Sequence, residues 1–252
     1  VNQSRYYGDA NPTSGSVTVT SGTLANSDAL STASVSSGAT NTTAAGQTAA
    51  LTPSAQTFST GSASNYAVTY MDGTLSITQR PITVAATAGQ HKTYGDADPT
   101  GLGTAYSITS GNLVNSDSLN GTLARGTGEN AGTYAINQGT LANSNYAITY
   151  QSADFTIDKA ALTITADSKT RVYGNANPAL TASYTGLKGS DTAAVVSGLS
   201  LGTTATSTSN VGSYIISASG GTADNYTITH IGSLLSITKR PITVTATTAT
   251  KV

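Results

Sequence analysis

A six-residue stretch recurs three times along the chain, as Tyr7-Gly8-Asp9-Ala10-Asn11-Pro12, Tyr94-Gly95-Asp96-Ala97-Asp98-Pro99 and Tyr173-Gly174-Asn175-Ala176-Asn177-Pro178. A second landmark recurs with it: Asn65-Tyr66-Ala67-Val68-Thr69-Tyr70, Asn145-Tyr146-Ala147-Ile148-Thr149-Tyr150 and Asn225-Tyr226-Thr227-Ile228-Thr229-His230, spaced 80 residues apart. Self-similarity at a fixed period constrains architecture before any secondary structure is assigned, because each repeat must be one structural unit. A chain of 252 residues so divided is a tandem array of small domains.

Within each repeat the residue pattern is that of strands. In Tyr146, Ile148 and Tyr150, and in their counterparts, large residues alternate with small or polar ones, which is the period of a half-buried strand. A second alternating run follows at once, through Leu75 and Ile77, Phe155 and Ile157, or Leu235 and Ile237, and the two runs are predicted to form a β-hairpin. The chain then passes into Arg80-Pro81-Ile82-Thr83-Val84, Lys159-Ala160-Ala161-Leu162-Thr163-Ile164 or Arg240-Pro241-Ile242-Thr243-Val244. Pro cannot donate to a ladder, so this junction marks the passage from one sheet to the next and a domain boundary. The predicted boundaries are 1–78 for repeat 1, which lacks its first strand, 79–158 for repeat 2 and 159–238 for repeat 3, with 239–252 as the first strand of a truncated fourth repeat.

Further strands are expected through Val17 and Val19, Tyr106 and Ile108, or Leu180, Ala182 and Tyr184, and through Tyr134 with Ile136 or Tyr214 with Ile216. Ser27-Asp28, Ser116-Asp117 and Ser190-Asp191 are read as caps of one or two helical turns, best formed over 190–196. Repeat 1 departs from the others in a Thr/Ala/Ser-rich segment from Thr40 to Ser64 and in lacking a tyrosine equivalent to Tyr134 and Tyr214. The segment from Lys239 onward is expected to stay loose or to add to the open sheet of repeat 1 in a neighbouring molecule, since an unpaired edge templates pairing.

Composition removes several classes of function. Only 9% of residues are charged and the net charge is -1, which leaves no basic surface for phosphates or anionic lipid, so neither nucleic acid nor membrane is an expected partner. The absence of Cys removes disulfides, Cys-based metal sites and Cys nucleophiles. The N-terminal Val1-Asn2-Gln3-Ser4 has no signal-peptide character, and the sequence reads as an interior slice whose export and anchoring signals lie elsewhere.

The Tyr-Gly-x-x-x-Pro loop, the Asn-Tyr strand and the Leu235-Ser236-Ile237-Thr238-Lys239-Arg240-Pro241-Ile242-Thr243-Val244 junction together resemble the MBG domains of the YGX type. These occur in tandem in very large bacterial adhesins, including filamentous-haemagglutinin-like proteins of two-partner secretion. The resemblance implies a mostly-β, β-grasp-like module of about 80 residues with at most one short helix, repeated outside the cell. Departures are the degenerate middle of repeat 1, Ala160-Ala161 in place of Arg-Pro, and Asn175 where the other copies have Asp.

No catalytic, cofactor-binding or metal residue is assigned, and no cofactor is expected. Asp96 and Asp98 could offer oxygens to Ca²⁺, but Asp9/Asn11 and Asn175/Asn177 do not maintain the charge, and the loop is read as a turn: Asx side chains meet nearby N–H groups, Gly takes a positive φ and Tyr packs beneath. His91 and His230 have no counterparts to complete a triad or zinc site. Asp167, Asp191, Asp224 and Glu129 sit in different turns, and no carboxylate pair for glycoside hydrolysis is apparent. The recurrent tyrosines are expected in small cores, with Tyr6 and Tyr106 as exposed exceptions. The function expected is a non-catalytic stalk or spacer in an elongated, extracellular adhesin serving cell adhesion or biofilm formation. Its alternative is a multivalent module binding surface or matrix glycans or host proteins, discriminated by glycan arrays. A β-solenoid fits the 80-residue period less well than discrete domains.

Overall fold

A computed structural model describes residues 2–248. Among the described residues each repeat contributes seven strands. In repeat 1 these are β1 (Gln3–Tyr6), β2 (Ser14–Ser16), β3 (Ala29–Leu30), β4 (Thr32–Ser36), β5 (Thr48–Ser54), β6 (Phe58–Thr60) and β7 (Gly73–Thr78). Repeat 2 has β8 (Arg80–Ala86), β9 (Gln90–Thr93), β10 (Tyr106–Ser110), β11 (Ala124–Arg125), β12 (Gly132–Asn137), β13 (Tyr146–Gln151) and β14 (Ala153–Asp158). Repeat 3 has β15 (Ala160–Ala166), β16 (Lys169–Val172), β17 (Ala182–Thr185), β18 (Ser197–Thr203), β19 (Gly212–Thr222), β20 (Tyr226–Ile231) and β21 (Ser233–Thr238). The chain is mostly β. The helical content among the described residues is three single 3₁₀ turns, Ala63–Asn65, Leu102–Thr104 and Ala193–Val195.

By Cα proximity the chain falls into two compact units. The first holds repeat 1 with the three-stranded sheet of repeat 2, ordered β10-β8-β13. The second holds the parallel β9–β14 pair of repeat 2 with all of repeat 3. Each unit therefore encloses one junction between successive repeats.

Repeat 3 shows the plan in full. β15 is the middle strand of a three-stranded sheet, antiparallel to β17 and parallel to β20, with Leu162 opposite Ile228. Ala160, Leu162, Ile164 and Ala166 alternate inward and are essentially inaccessible, as expected where one face of a strand meets a core. The second sheet is ordered β16-β21-β19-β18, with β16 parallel to β21. Each sheet has its own small core: Ala160, Leu162, Ile164, Ala223 and Tyr226 under the first, and Ala166, Ala205, Ile216, Leu235 and Ile237 under the second. Burial of each large aliphatic side chain here contributes about 1.5–3 kcal/mol, enough to matter where the core is a handful of residues.

The expected hairpin between the Asn-Tyr strand and the following run does not form. β13 and β14 are separated by Ser152 alone and enter different sheets; β20 and β21, separated by Gly232, do the same. A period-two pattern reports half-burial but not the partner, and the parallel partner β8 presents the apolar Ile82 and Val84 that β13 needs. The corner is held by the Tyr150 hydroxyl and Ser152 Oγ, which both donate to the Ile136 carbonyl, at 3.0 and 2.8 Å.

The helical turns are also shorter than the Ser-Asp signals imply. Only Ala193–Val195 forms near 190–196, with Thr192 as its cap, whose Oγ1 accepts the Ala194 N–H at 3.4 Å. At Asn26-Ser27 and Asn115-Ser116 the backbone is left-handed, which prevents a helix from starting there.

Repeat 1 has the larger sheet, ordered β1-β7-β5-β4-β2, but no strand equivalent to β8 or β15 among the described residues. Its Asn-Tyr stretch is correspondingly not a strand, and Val68 and Tyr70 are 43% and 39% exposed. Residues 241–248 carry no strand either, with Ile242 80% and Val244 84% exposed; Val1 and residues 249–252 of the expected terminal segments lie outside the described residues.

Candidate functional site: the clasp between repeats

The recurrent loop turns as expected. Gly8, Gly95 and Gly174 all have φ near +85°, at 86°, 82° and 82°, and the following N–H donates back across the turn, as Asp9 N to the Tyr6 carbonyl at 3.1 Å. The loop's side chains also reach beyond the turn itself.

At the junction of repeats 1 and 2, Tyr7 is 3% exposed and lies edge-on to Tyr146 of repeat 2, with ring centroids 5.8 Å apart and planes at 76°. At the junction of repeats 2 and 3, Tyr94 meets Tyr226 in the same way, at 5.4 Å and 76°. The two landmarks of the repeat are therefore partners across the boundary: the loop tyrosine of one copy packs on the Asn-Tyr tyrosine of the next. T-shaped pairs of this kind contribute about 0.5–1.5 kcal/mol beyond their buried area.

The asparagine of the second landmark adds a polar bond across each boundary. Asn145 Oδ1 accepts the Ala45 N–H at 3.0 Å, and Asn225 Oδ1 accepts the Ala131 N–H at 2.9 Å. The tyrosine hydroxyl is fixed from its own repeat, where it accepts the Ala25, Val114 or Lys188 N–H, each at 2.9 Å. It also donates to Asp28, Asp117 or Asp191, at 2.8, 2.9 and 2.5 Å for Tyr66, Tyr146 and Tyr226. At the second junction Tyr94 also donates to Asp191, at 3.0 Å. Burial, followed by the carboxylate, raises the ionisation of Tyr146 and Tyr226 above the ordinary tyrosine value; for Tyr94 the hydrogen bond to Asp191 is the first cause.

The first Asx of each loop meets a cation, supplied from two different positions. Arg80 of repeat 2 pairs with Asp9 and donates through Nε to the Tyr7 carbonyl at 2.9 Å. Its equivalent in repeat 3 is Ala160, which has no charge to offer, and there Lys188 supplies the ammonium to Asp96 at 3.0 Å. The residue equivalent to Lys188 at the first junction is Val114, which fills the space over Gly8; a Cβ on Gly8 would collide with it. Thus Arg with Val at one boundary is exchanged for Ala with Lys at the other. Arg240 repeats the first arrangement, donating to the Tyr173 carbonyl at 2.8 Å and to Asn175 Oδ1 at 2.6 Å.

The second Asx anchors the loop to its own repeat through a cation two residues before the tyrosine. Arg5, Lys92 and Arg171 are 7%, 7% and 6% exposed, the buried charges of the described residues. Arg5 donates to Asn11 Oδ1 at 2.9 Å and Arg171 to Asn177 Oδ1 at 2.8 Å, and each also reaches a carbonyl, of Thr40 or Thr206. Lys92 instead pairs with two carboxylates, Asp98 at 2.8 Å and Glu129. Burial lowers its affinity for the proton, but the bonds to Asp98 and Glu129 outweigh that and raise it.

The residues weighed for chemistry fall into this scheme or outside any cluster. Asp96 and Asp98 each face an ammonium rather than one another's ligand set, and no group of three or more potential metal ligands occurs among the described residues. His91 bonds the Gly89 carbonyl with Nδ1 at 3.1 Å, and His230 occupies the strand position of Tyr150 with a buried Nε2 that has no partner. Asp167 accepts from Ser183 and Thr181, both of which lower its proton affinity. Asp191 serves the tyrosines, Glu129 serves Lys92, and Asp224 is exposed. Tyr6 is exposed at 48% as expected, whereas Tyr106 is half-buried because β10 pairs along β8.

Parts of the clasp carry a signal in the sequence, and the Asp residues expected as helix caps accept from the tyrosine hydroxyls instead. The basic residue two before each loop tyrosine, and the Asp28, Asp117 and Asp191 series, recur as regularly as the loop itself. The Arg80 to Lys188 exchange carries no such signal, because the two residues occupy different strands and loops.

A search of curated proteins returns no match to the chain. The family model described as MBG domain (YGX type) matches it at residues 1–76, 82–156 and 162–236, each segment holding one Tyr-Gly loop and one Asn-Tyr landmark, and the chain belongs to that family as three tandem copies.

Proposed function

We propose that the chain is a non-catalytic spacer: a run of β-grasp-like modules forming part of an elongated, extracellular stalk of a bacterial surface or secreted adhesin, in cell adhesion or biofilm formation. The observation that carries this reading is the use made of the most repeated residues. At both junctions the loop tyrosine and first Asx of one repeat, and the Asn and tyrosine of the next, are used to join the two. The linkers are single residues, Gln79 and Lys159, too short to let modules swing freely. The β-grasp-like description is supported by the three-stranded sheets, in which the first and last strands run parallel side by side and the second is antiparallel at the edge.

Small-angle scattering tests the reading. An elongated particle is expected, and a globule of the compactness usual for a single domain of this mass contradicts the stalk.

A further inference from the structure

The last strand of the four-stranded sheet in repeat 3 is a bare edge of a kind that the other two repeats cover. β4, β11 and β18 hold the same place in their sheets, which are ordered β1-β7-β5-β4-β2, β9-β14-β12-β11 and β16-β21-β19-β18. In repeat 1, β2 lies antiparallel along β4, with Ser14 opposite Ser34. In repeat 2 the 3₁₀ turn Leu102–Thr104 does the covering: the Leu123 N–H, just ahead of β11, donates to the Gly103 carbonyl at 2.8 Å, and a Cβ on Gly103 would stand 3.0 Å from that of Thr122. In repeat 3 the backbone of β18 has β19 as its one partner among the described residues.

A shortening of the chain uncovers the edge. β10 and β17 are equivalent, since Tyr106 faces Ala86 as Ala182 faces Ala166. Six residues separate Pro99 from Tyr106 but three separate Pro178 from Ala182, and the difference is the length of the missing turn. Both covers come from within their own repeat, so the bare edge is a property of repeat 3 itself. It is also the longest of the three edges, with seven residues in β18 against five in β4 and two in β11. β18 carries neither a charged residue nor a proline, the usual guards of an exposed edge, whereas β11 has Arg125.

The sequence of this edge is complementary to itself. Ser197-Gly198-Leu199-Ser200-Leu201-Gly202-Thr203 reads the same in either direction but for the exchange of Ser and Thr at its ends. Two copies laid antiparallel about Ser200 match Leu199 with Leu201 and Gly198 with Gly202. Leu199 and Leu201 are half-buried, packed on the cores of the first and second sheet respectively, so the partner's leucines extend both cores across the join. Ser200 lies on the opposite face and is exposed, between two glycines that put no side chain in the way. Gly198, with φ of 76°, bends the strand at that end and has nothing within 4 Å of its Cβ position, so the ladder centres on Leu199-Ser200-Leu201.

We propose that β18 is a docking edge for a second copy of this chain, the two β18 strands pairing antiparallel about a two-fold axis at Ser200. The two four-stranded sheets then continue as one, β16-β21-β19-β18 followed by the same order reversed. Because each copy offers the same patch, the contact is isologous and closes at two chains. It joins chains side by side through repeat 3, independently of the contacts between successive repeats and of the spacer reading. The ladder is short, which places the contact among the small, weak interfaces.

Sedimentation equilibrium at concentrations up to about 1 mM tests this, with circular dichroism on every variant. The wild-type chain is expected to pass from monomer to dimer and no further. Ser200→Lys and Ser200→Glu alter an exposed side chain and set like charges opposite one another on the axis, and each is expected to weaken association about fivefold. An equimolar mixture of the two variants sets opposite charges against each other and should give a heterodimer at least as tight as the wild-type dimer. That rescue requires residue 200 of one copy to meet residue 200 of another, which a general change in stability does not imitate. A wild-type chain that is monomeric throughout, a Ser200→Lys dimer as tight as the wild type, or a mixture no tighter than either variant alone overturns the proposal.

Discussion

Tyr94 and Tyr226 come from different repeats, meet edge-on at 5.4 Å, and send both hydroxyls to one carboxylate, that of Asp191. The pair closes the junction between repeats 2 and 3 and completes the core beneath β15, where Tyr94 packs against the cluster that contains Leu162 and Tyr226. A residue of one repeat is thus part of the core of the next, which is why the module boundary in sequence is not a boundary in packing.

Asp191→Ala removes the shared acceptor and leaves two hydroxyls, one of them on a side chain 3% exposed, without it. A loss of about 1–3 kcal/mol is expected in urea-induced unfolding. Asp191→Asn keeps an acceptor oxygen and should lose less. Equal stability of wild type and Asp191→Ala would show that the hydroxyls find water at no cost.

The ring contact is separable from the hydroxyl bonds by a double-mutant cycle at the other junction. Tyr7→Leu, Tyr146→Leu and the double variant should give a coupling of about 0.5–1.5 kcal/mol, the range for T-shaped aromatic pairs. Additive effects would mean that the two rings are neighbours without energetic consequence.

The exchanged cations should differ in worth. Lys188 and Asp96 have side chains 36% and 50% exposed, and Lys188→Ala is expected to cost about 0–1 kcal/mol by denaturation. The Arg80 side chain is 19% exposed, pairs with Asp9 and also bonds the Tyr7 carbonyl, so Arg80→Ala should cost more, about 1–3 kcal/mol. Adding 1 M salt should narrow the gap only slightly, since the carbonyl bond is not screened.

The pH dependence follows from the tyrosines. Tyr146 and Tyr226 hold their protons more tightly when folded than when unfolded, so below the ordinary tyrosine value of about 10 both states are protonated and their contribution is fully present. As pH rises past about 10 the unfolded chain ionises first, and the contribution is lost by the time the folded-state value is passed. Lys92, also raised, acts in the same direction slightly higher. The urea midpoint should be level from about pH 7 to 9 and fall steeply above 10. Asp167, lowered by Ser183 and Thr181, stabilises above the ordinary Asp value of about 4 and ceases to do so as pH falls below it.

The strands were legible because alternation is a local signal: Tyr146, Ile148, Phe155 and Ile157 announce themselves by spacing. Their partners were not. A hairpin between β13 and β14 and a corner that sends each to a separate sheet have the same alternation, and only the competing strand β8, more than 60 residues earlier, decides between them. The loop was legible as a turn through Gly95 and Pro99, but its destination was not, since Tyr94 acts on a residue of the next repeat, Tyr226. Spacing within a repeat carries no information about contacts between repeats.

The claim on which the account rests is that the loop is a clasp holding successive repeats in one pose. The chain has no Cys, so Thr42→Cys in repeat 1 and Ser118→Cys in repeat 2, both exposed, can carry a pair of spin labels without interference. Pulsed dipolar spectroscopy on that pair should give one narrow distance distribution, broadened when Tyr7→Ala and Arg80→Ala are introduced together. A broad distribution in the otherwise wild-type chain, or a narrow one unaffected by losing both residues, would contradict the clasp.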